Sequence, residues 1–165
     1  MNEEEEYKFS NEIINANGEP PSPGLNCHTA CIIHDHLYIF GGSEVYDSYS
    51  NLTYEYSFEN NFWKKLETIG DKISGRKFHT AVVYRSKMYI WVRKKKNEKK
   101  LKSHFEKGGY HFPESFKELN QIYEFNPINY EYKLITTENN PVASFRHTAS
   151  IRNYKGKSSM IIFGG

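Results

Sequence analysis

His28-Thr29-Ala30-Cys31-Ile32-Ile33 leads through His34, Asp35 and His36 into Leu37-Tyr38-Ile39-Phe40 and stops at Gly41-Gly42. The stretch reads as a β-hairpin. A β-branched run, a short polar turn at Asp35-His36 and a second run of aromatic and aliphatic residues follow in order. Glycine reaches positive φ without steric cost and carries no side chain. The glycine pair therefore marks a place where the chain turns hard beside a neighbouring backbone.

The same words return along the chain. His-Thr-Ala recurs at His79-Thr80-Ala81 and at His147-Thr148-Ala149, and Ile39-Phe40-Gly41-Gly42 comes back as Ile162-Phe163-Gly164-Gly165. Asn51-Leu52-Thr53-Tyr54-Glu55-Tyr56 is matched by Asn120-Gln121-Ile122-Tyr123-Glu124-Phe125, and Trp63-Lys64 by Tyr132-Lys133. The second unit places its polar turn at Ser86-Lys87. Each unit thus holds four short strands in about 50 residues, which is the signature of a propeller blade. No long window carries a helical period, so the chain reads as all-β.

His-Thr-Ala, then Leu-Tyr-Ile-Phe-Gly-Gly, then Tyr-x-Tyr and Trp63, resembles the kelch repeat, and Arg76-x-x-His79 resembles its start. The likeness runs over roughly residues 20–165 and rests on several landmarks in fixed order. It implies a partial kelch-type β-propeller of four-stranded antiparallel blades. The motif positions it implies are His28, Gly41, Gly42, Tyr54 and Trp63 in the first unit. The second unit supplies Arg76, His79, Gly108, Gly109, Tyr123 and Tyr132, and the third His147, Gly164 and Gly165. The aromatics Tyr54, Trp63, Tyr123 and Tyr132 are large enough to fill the wedge between blades. The three histidines fall in different blades and are expected to bond locally to backbone rather than to share a metal ion.

Some positions depart from the pattern. Leu25 and Ser144 stand where Arg76 stands in the second unit, and Val92-Arg93 falls where a glycine pair belongs. Gly108-Gly109 restores the pair later, so residues 92–107 read as an insertion that accounts for the longer second interval. Extra residues around Lys155-Gly156-Lys157 read as a longer hairpin loop. The resulting division is an acidic tail with a possible strand of a preceding blade (1–19), blade 1 (20–73), blade 2 (74–140) and the first half of a truncated blade 3 (141–165). So few blades do not close a ring of the usual 4–8. A fragment of a longer propeller is the favoured expectation, and head-to-tail self-association is the other.

Charge is segregated. The net value is +2, but Glu3, Glu4, Glu5 and Glu6 form an acidic run. Arg93, Lys94, Lys95, Lys96, Lys99, Lys100 and Lys102 crowd together with Glu98 as the one acid among them. Blocks of like charge repel, so the basic run reads first as a solvated loop. It is also the candidate partner-binding loop, for an acidic protein or, less in keeping with its few aromatics, for nucleic acid.

Other functions find little support. No apolar run approaches the roughly 18–20 residues of a spanning helix, so no membrane association is expected. The N-terminus lacks the pattern of a secretory signal, which points to the cytoplasm or nucleus. Cys27 and Cys31, placed on one strand, would lie about 13 Å apart, beyond the roughly 7 Å limit for a disulfide. His34-Asp35-His36 lies on a turn and does not make a closed metal site. No nucleophile elbow, phosphate loop or redox Cys pair occurs, so no catalytic residue, cofactor or metal is assigned. The resemblance implies a non-enzymatic protein-interaction module, a scaffold or adaptor, binding a protein through its blade loops. Part of a propeller enzyme and a basic-loop nucleic-acid binder are the alternatives.

Overall fold

A computed structural model describes residues 13–44, 49–92, 121–137 and 147–164. The acidic run, the basic run, Gly108, Gly109, Ser144 and Gly165 lie outside the described residues. The first sheet contains β1 (Asn17–Gly18), β2 (Thr29–Ile33), β3 (His36–Phe40), β4 (Thr53–Ser57) and β5 (Phe62–Lys65). The second contains β6 (Ile69–Gly70), β7 (Thr80–Tyr84), β8 (Lys87–Val92), β9 (Gln121–Asn126) and β10 (Glu131–Ile135). A third, two-stranded sheet pairs β11 (Thr148–Tyr154) with β12 (Lys157–Phe163). The described residues therefore make two complete blades and one hairpin, without a closed ring.

Both blades are antiparallel meanders, β2-β3-β4-β5 and β7-β8-β9-β10. Each gains a short fifth strand that the sequence reading did not contain. Asn17–Gly18 pairs parallel to β5, and Ile69–Gly70 pairs parallel to β10. The segment leaving one blade thus adds itself to the outer edge of the next. Two residues carry no alternation, so no pattern announces them. Of the tail (1–19) read as holding a possible strand of a preceding blade, residues 1–12 lie outside the described residues, Ile13 and Ile14 are exposed and not in a strand, and Asn17–Gly18 pairs with the first blade itself.

The innermost strands β2, β7 and β11 lie side by side. The buried cluster sits between the first two blades. It joins Tyr38, Phe40, Cys31 and Ile33 of the first to Met88, Ile90, Tyr123, Phe125 and Tyr132 of the second. Alternation within each strand sends these residues to one face of the pleat.

Three local expectations need correction. The hairpin turns are His34-Asp35 and Arg85-Ser86, each one residue earlier than expected, because Ile33 pairs with His36 and Tyr84 with Lys87. Arg85 and Ser86 both take positive φ (48° and 58°), the backbone of a two-residue turn matched to strand twist. In the third unit the extra residues do not lengthen the loop. The turn is still two residues, Lys155-Gly156, and β11 and β12 are 7 residues each where β2 and β3 are 5. Adding residues in pairs on both strands keeps the register, whereas a longer loop would leave backbone groups unpaired. Finally, Cys27 does not share a strand with Cys31. It precedes β2 with φ 57°, and both thiols are free. Burial pushes the Cys31 thiol up to about 11.

Gly41 is explained by the neighbouring blade, and Gly42 by the segment that leads into its own, where a Cβ would meet Asn26 O at 2.8 Å. Gly41 and Gly42 have φ 69° and 98°. A Cβ on Gly41 would stand 2.8 Å from the Arg76 carbonyl oxygen and 2.8 Å from His79 Cε1. Gly41→Ala is expected to destabilise the chain by at least about 1–2 kcal/mol from the left-handed backbone alone, and further from the clash. Gly156→Ala is the control, since φ is 73° there but nothing lies within 4 Å. Urea midpoints of the two variants separate conformation from close approach; equal losses would remove the close-approach explanation.

Candidate protein-binding end of the blades

An antiparallel meander sends its connections alternately to its two ends. The hairpin turns His34-Asp35, Arg85-Ser86 and Lys155-Gly156 lie at one end, with the turns that follow β4 and β9. At the opposite end β3 hands on to β4 (Phe40 to Thr53), β8 to β9 (Val92 to Gln121), and β5 and β10 to the following blades. The connection from β8 to β9 exceeds that from β3 to β4 by the length of segment 92–107. Val92 and Gln121, which flank the segment holding the basic run, lie at this end; the run itself is outside the described residues.

That end is stitched to the scaffold by Arg76, which is buried. Its Nε donates to the Ser74 carbonyl at 2.7 Å and its Nη2 to Ser74 Oγ at 3.1 Å. The guanidinium lies 5.2 Å from the centre of the Tyr123 ring. Its backbone N–H donates to Ser50 O at 3.0 Å, and its carbonyl accepts from Gly42 N at 2.8 Å. One residue thus holds the inter-blade connection down on the glycine turn of the first blade and on the third strand of the second.

Two of the motif histidines, His79 and His147, reach into the previous blade. His79 Nε2 is 2.9 Å from Thr29 Oγ1, and His147 Nε2 is 2.9 Å from Thr80 Oγ1. The His79 ring meets Phe40 edge-on at 5.3 Å, and His147 meets Trp91 at 4.3 Å. Thr29 is the cross-strand partner of Phe40, and Thr80 of Trp91. A threonine and an aromatic ring directly opposite each other therefore receive one imidazole. His28, in the first blade, is exposed. Among the described residues no group of three or more His, Cys, Asp or Glu side chains gathers.

Further ties lie outward along the same wedge. Tyr132, 1% exposed, is 2.8 Å from Thr53 Oγ1 through its hydroxyl and packs on Phe40 and Phe125. Burial pushes the Tyr132 hydroxyl well above the usual phenol range. Glu55 accepts from Tyr38 at 2.7 Å and, across the wedge, from Tyr130 at 3.1 Å. Its counterpart Glu124 accepts from Tyr89 and from Lys87, both at 2.6 Å. Burial acts against ionisation of Glu124, but the hydrogen bonds of Lys87 and Tyr89 hold its carboxyl below the ordinary range. Tyr123 lines the wedge and Tyr54 is buried in the first blade, while Trp63 is half-buried and packs at a tilt on Tyr56, ring centres 4.9 Å apart.

Sequence reasoning missed Thr29, Thr80, Glu55 and Glu124. Their signal was present, since the threonine stands in every His-Thr-Ala and the glutamate in both Tyr-Glu-aromatic words. It also missed the residue before each histidine. Cys27 and Phe78 occupy matching positions with left-handed backbones, φ 57° and 59°. Both side chains are half-exposed at the connection-rich end. Beside them the Lys77 ammonium lies 4.9 Å from the Tyr49 ring centre. Left-handed non-glycine residues are uncommon and persist where the surroundings hold them.

The sequence matches the KLHDC2/KLHL20/DRC7 Kelch-repeats domain over residues 6–105. It is 35% identical over 84 residues to the leucine-zipper-like transcriptional regulator 1 homolog of Drosophila melanogaster, covering 47% of this chain and 8% of that protein. It is 34% identical over 65 residues to Kelch domain-containing protein 3 of Bos taurus, covering 39% and 17%. A third relative is Ras guanine nucleotide exchange factor F of Dictyostelium discoideum, 33% identical over 72 residues, covering 43% and 6%. The chain thus spans only a small part of the length of these relatives. In fold it is similar to the structure of YjhT, with a TM-score of 0.54 at 20% identity over 84% of this chain and 45% of that one. Repeated words, four-stranded meanders and the match over most of the chain agree: this chain belongs to the kelch-repeat family, and its blades are kelch propeller blades.

Proposed function

We propose that the chain is a non-enzymatic protein-interaction module of the cytoplasm or nucleus, a scaffold or adaptor that binds its partner with the connection-rich end of the blades. The observation that carries this reading is the asymmetry between the two ends. One end has short hairpin turns. At the other, the strands are joined through long stretches of sequence of unequal length, and the described inter-blade segment is clamped to the first blade by Arg76 and His79. Kelch domains commonly bind proteins, and variable loops on a fixed scaffold suit that role. The basic run adds a preference for an acidic segment, because it lies in sequence between Val92 and Gln121, both of which face this end.

A panel of fluorescent peptides, acidic and neutral, tests this reading beside a single-stranded oligonucleotide of equal charge. The wild-type chain is expected to bind a subset of acidic peptides, more weakly as salt rises. Replacing Arg93, Lys94, Lys95, Lys96, Lys99, Lys100 and Lys102 by Ser is expected to abolish that binding. Retention of full affinity by the variant would detach the basic run from recognition. Tighter binding of the oligonucleotide than of any peptide would replace a protein partner by a nucleic acid.

A further inference from the structure

The connection from β6 to β7 is pinned at several points and shows one hydroxyl between them. Ile73 belongs to the buried cluster between the blades, and Arg76 is buried. Gly75 is pressed against the first blade, since a Cβ there would stand 2.0 Å from the Tyr49 carbonyl oxygen. Ser74, between these anchors, is exposed. Residues 72–76 belong to no strand or tight turn.

The surroundings of that hydroxyl are cationic. Arg76 Nη2 donates to Ser74 Oγ at 3.1 Å, while Nε holds the Ser74 carbonyl at 2.7 Å. Lys72 stands two residues before Ser74 in sequence and Lys77 three after it. The nearest acid in sequence, Asp71, is engaged on the outer edge of the second blade, where its Oδ2 accepts from Leu134 N at 2.7 Å. Basic residues on both sides suit the acidic substrate cleft of a basic-directed serine kinase. A phosphate on Oγ would meet a guanidinium already aimed at that atom, and the planar fork of arginine matches phosphate oxygens.

We propose that Ser74 is a phosphorylation site whose phosphate pairs with the Arg76 guanidinium. The γ-phosphoryl group of a nucleoside triphosphate passes to Oγ. The new O–P bond replaces the bond to the leaving diphosphate, and the hydroxyl proton goes to the base of the kinase. The neutral contact at 3.1 Å then becomes a charge-assisted one. The backbone of Arg76 already holds Gly42 and Ser50. Modification therefore tightens the inter-blade connection on the first blade and adds negative charge at that end of the blades. Ser86 is the contrasting serine. It is exposed between Arg85 and Lys87, but its φ of 58° in a two-residue turn does not extend along a kinase cleft.

Incubation of the chain with ATP and protein kinase C, followed by peptide mass spectrometry, is expected to place phosphate on Ser74 and not on Ser86. Phosphorus NMR then reads the pairing. A free phosphoserine titrates at about 6. The Ser74 signal, identified by its absence from Ser74→Ala, is expected to titrate about one pH unit or more lower in the folded chain. In urea the same signal is expected to return to about 6. The lowering is expected to persist in Lys77→Ser; its loss there would assign the phosphate to the lysine and overturn the pairing with Arg76. Equal titration in the folded and unfolded chains overturns that pairing as well. No phosphate on Ser74, or phosphate on Ser86 in its place, overturns the site.

Discussion

Tyr132→Ala is expected to cost about 3–5 kcal/mol, the range for a large aromatic removed from a core, while Trp63→Ala at the corresponding position of the first blade costs about 1 kcal/mol. The two residues hold the same place in their repeats and differ in what faces them. Tyr132 is 1% exposed between two blades, touching Phe40, Phe125 and the Thr53 hydroxyl. Trp63 is half-buried, and its ring packs on Tyr56 of its own blade. Tyr132→Phe separates shape from hydrogen bonding. It keeps the ring and removes the 2.8 Å bond to Thr53, so about 1 kcal/mol is expected. Urea unfolding of the three variants decides the matter. Equal losses at Tyr132 and Trp63 would show that packing between blades adds nothing beyond packing within one.

The comparison also shows where the sequence was legible. The words His-Thr-Ala, Tyr-Glu-aromatic and Phe-Gly-Gly located β2, β3, β4, β7, β9, β11 and β12 within a residue or two, because strand alternation and glycine turns are local properties. The wedge was legible in kind, since aromatics at matched positions need a large space to fill. The bridges were not. A His–Thr bond joins residues in different blades, and local chemistry alone suggested a backbone partner. Only the register of Thr29 opposite Phe40 shows that the pair forms a receptacle. The parallel additions at Asn17–Gly18 and Ile69–Gly70 escaped for another reason. Their pairing is set by the path of the chain between blades and not by a pattern in two residues. The binding end was legible as loop length and charge, but Cys27 and Phe78 carry no composition signal for left-handed backbone.

Acid is expected to loosen the bridge between blades through His79. Burial comes first among the causes, followed by the Arg76 guanidinium; together they push its imidazole down to about 3 from 6.5, against a smaller opposing pull from the Phe40 carbonyl. In the folded chain His79 is therefore neutral at neutral pH, as its contact with the Thr29 hydroxyl and the Phe40 ring edge requires. Between about 3 and 6.5 the unfolded chain holds a proton on this residue that the folded chain does not. Stability from His79 is thus complete above 6.5 and is lost as pH falls toward about 3. The slope is about 1.4 kcal/mol per pH unit within that window. Carboxylates titrate over part of the same range, so the total slope does not identify the histidine. The difference between the wild-type chain and His79→Asn does. The variant is less stable at pH 7 and should approach the wild type as pH falls, with the two curves converging below about 4. Parallel curves across the whole range would mean that His79 accepts its proton in the folded chain, and that the bridge tolerates an imidazolium between Thr29 and Phe40.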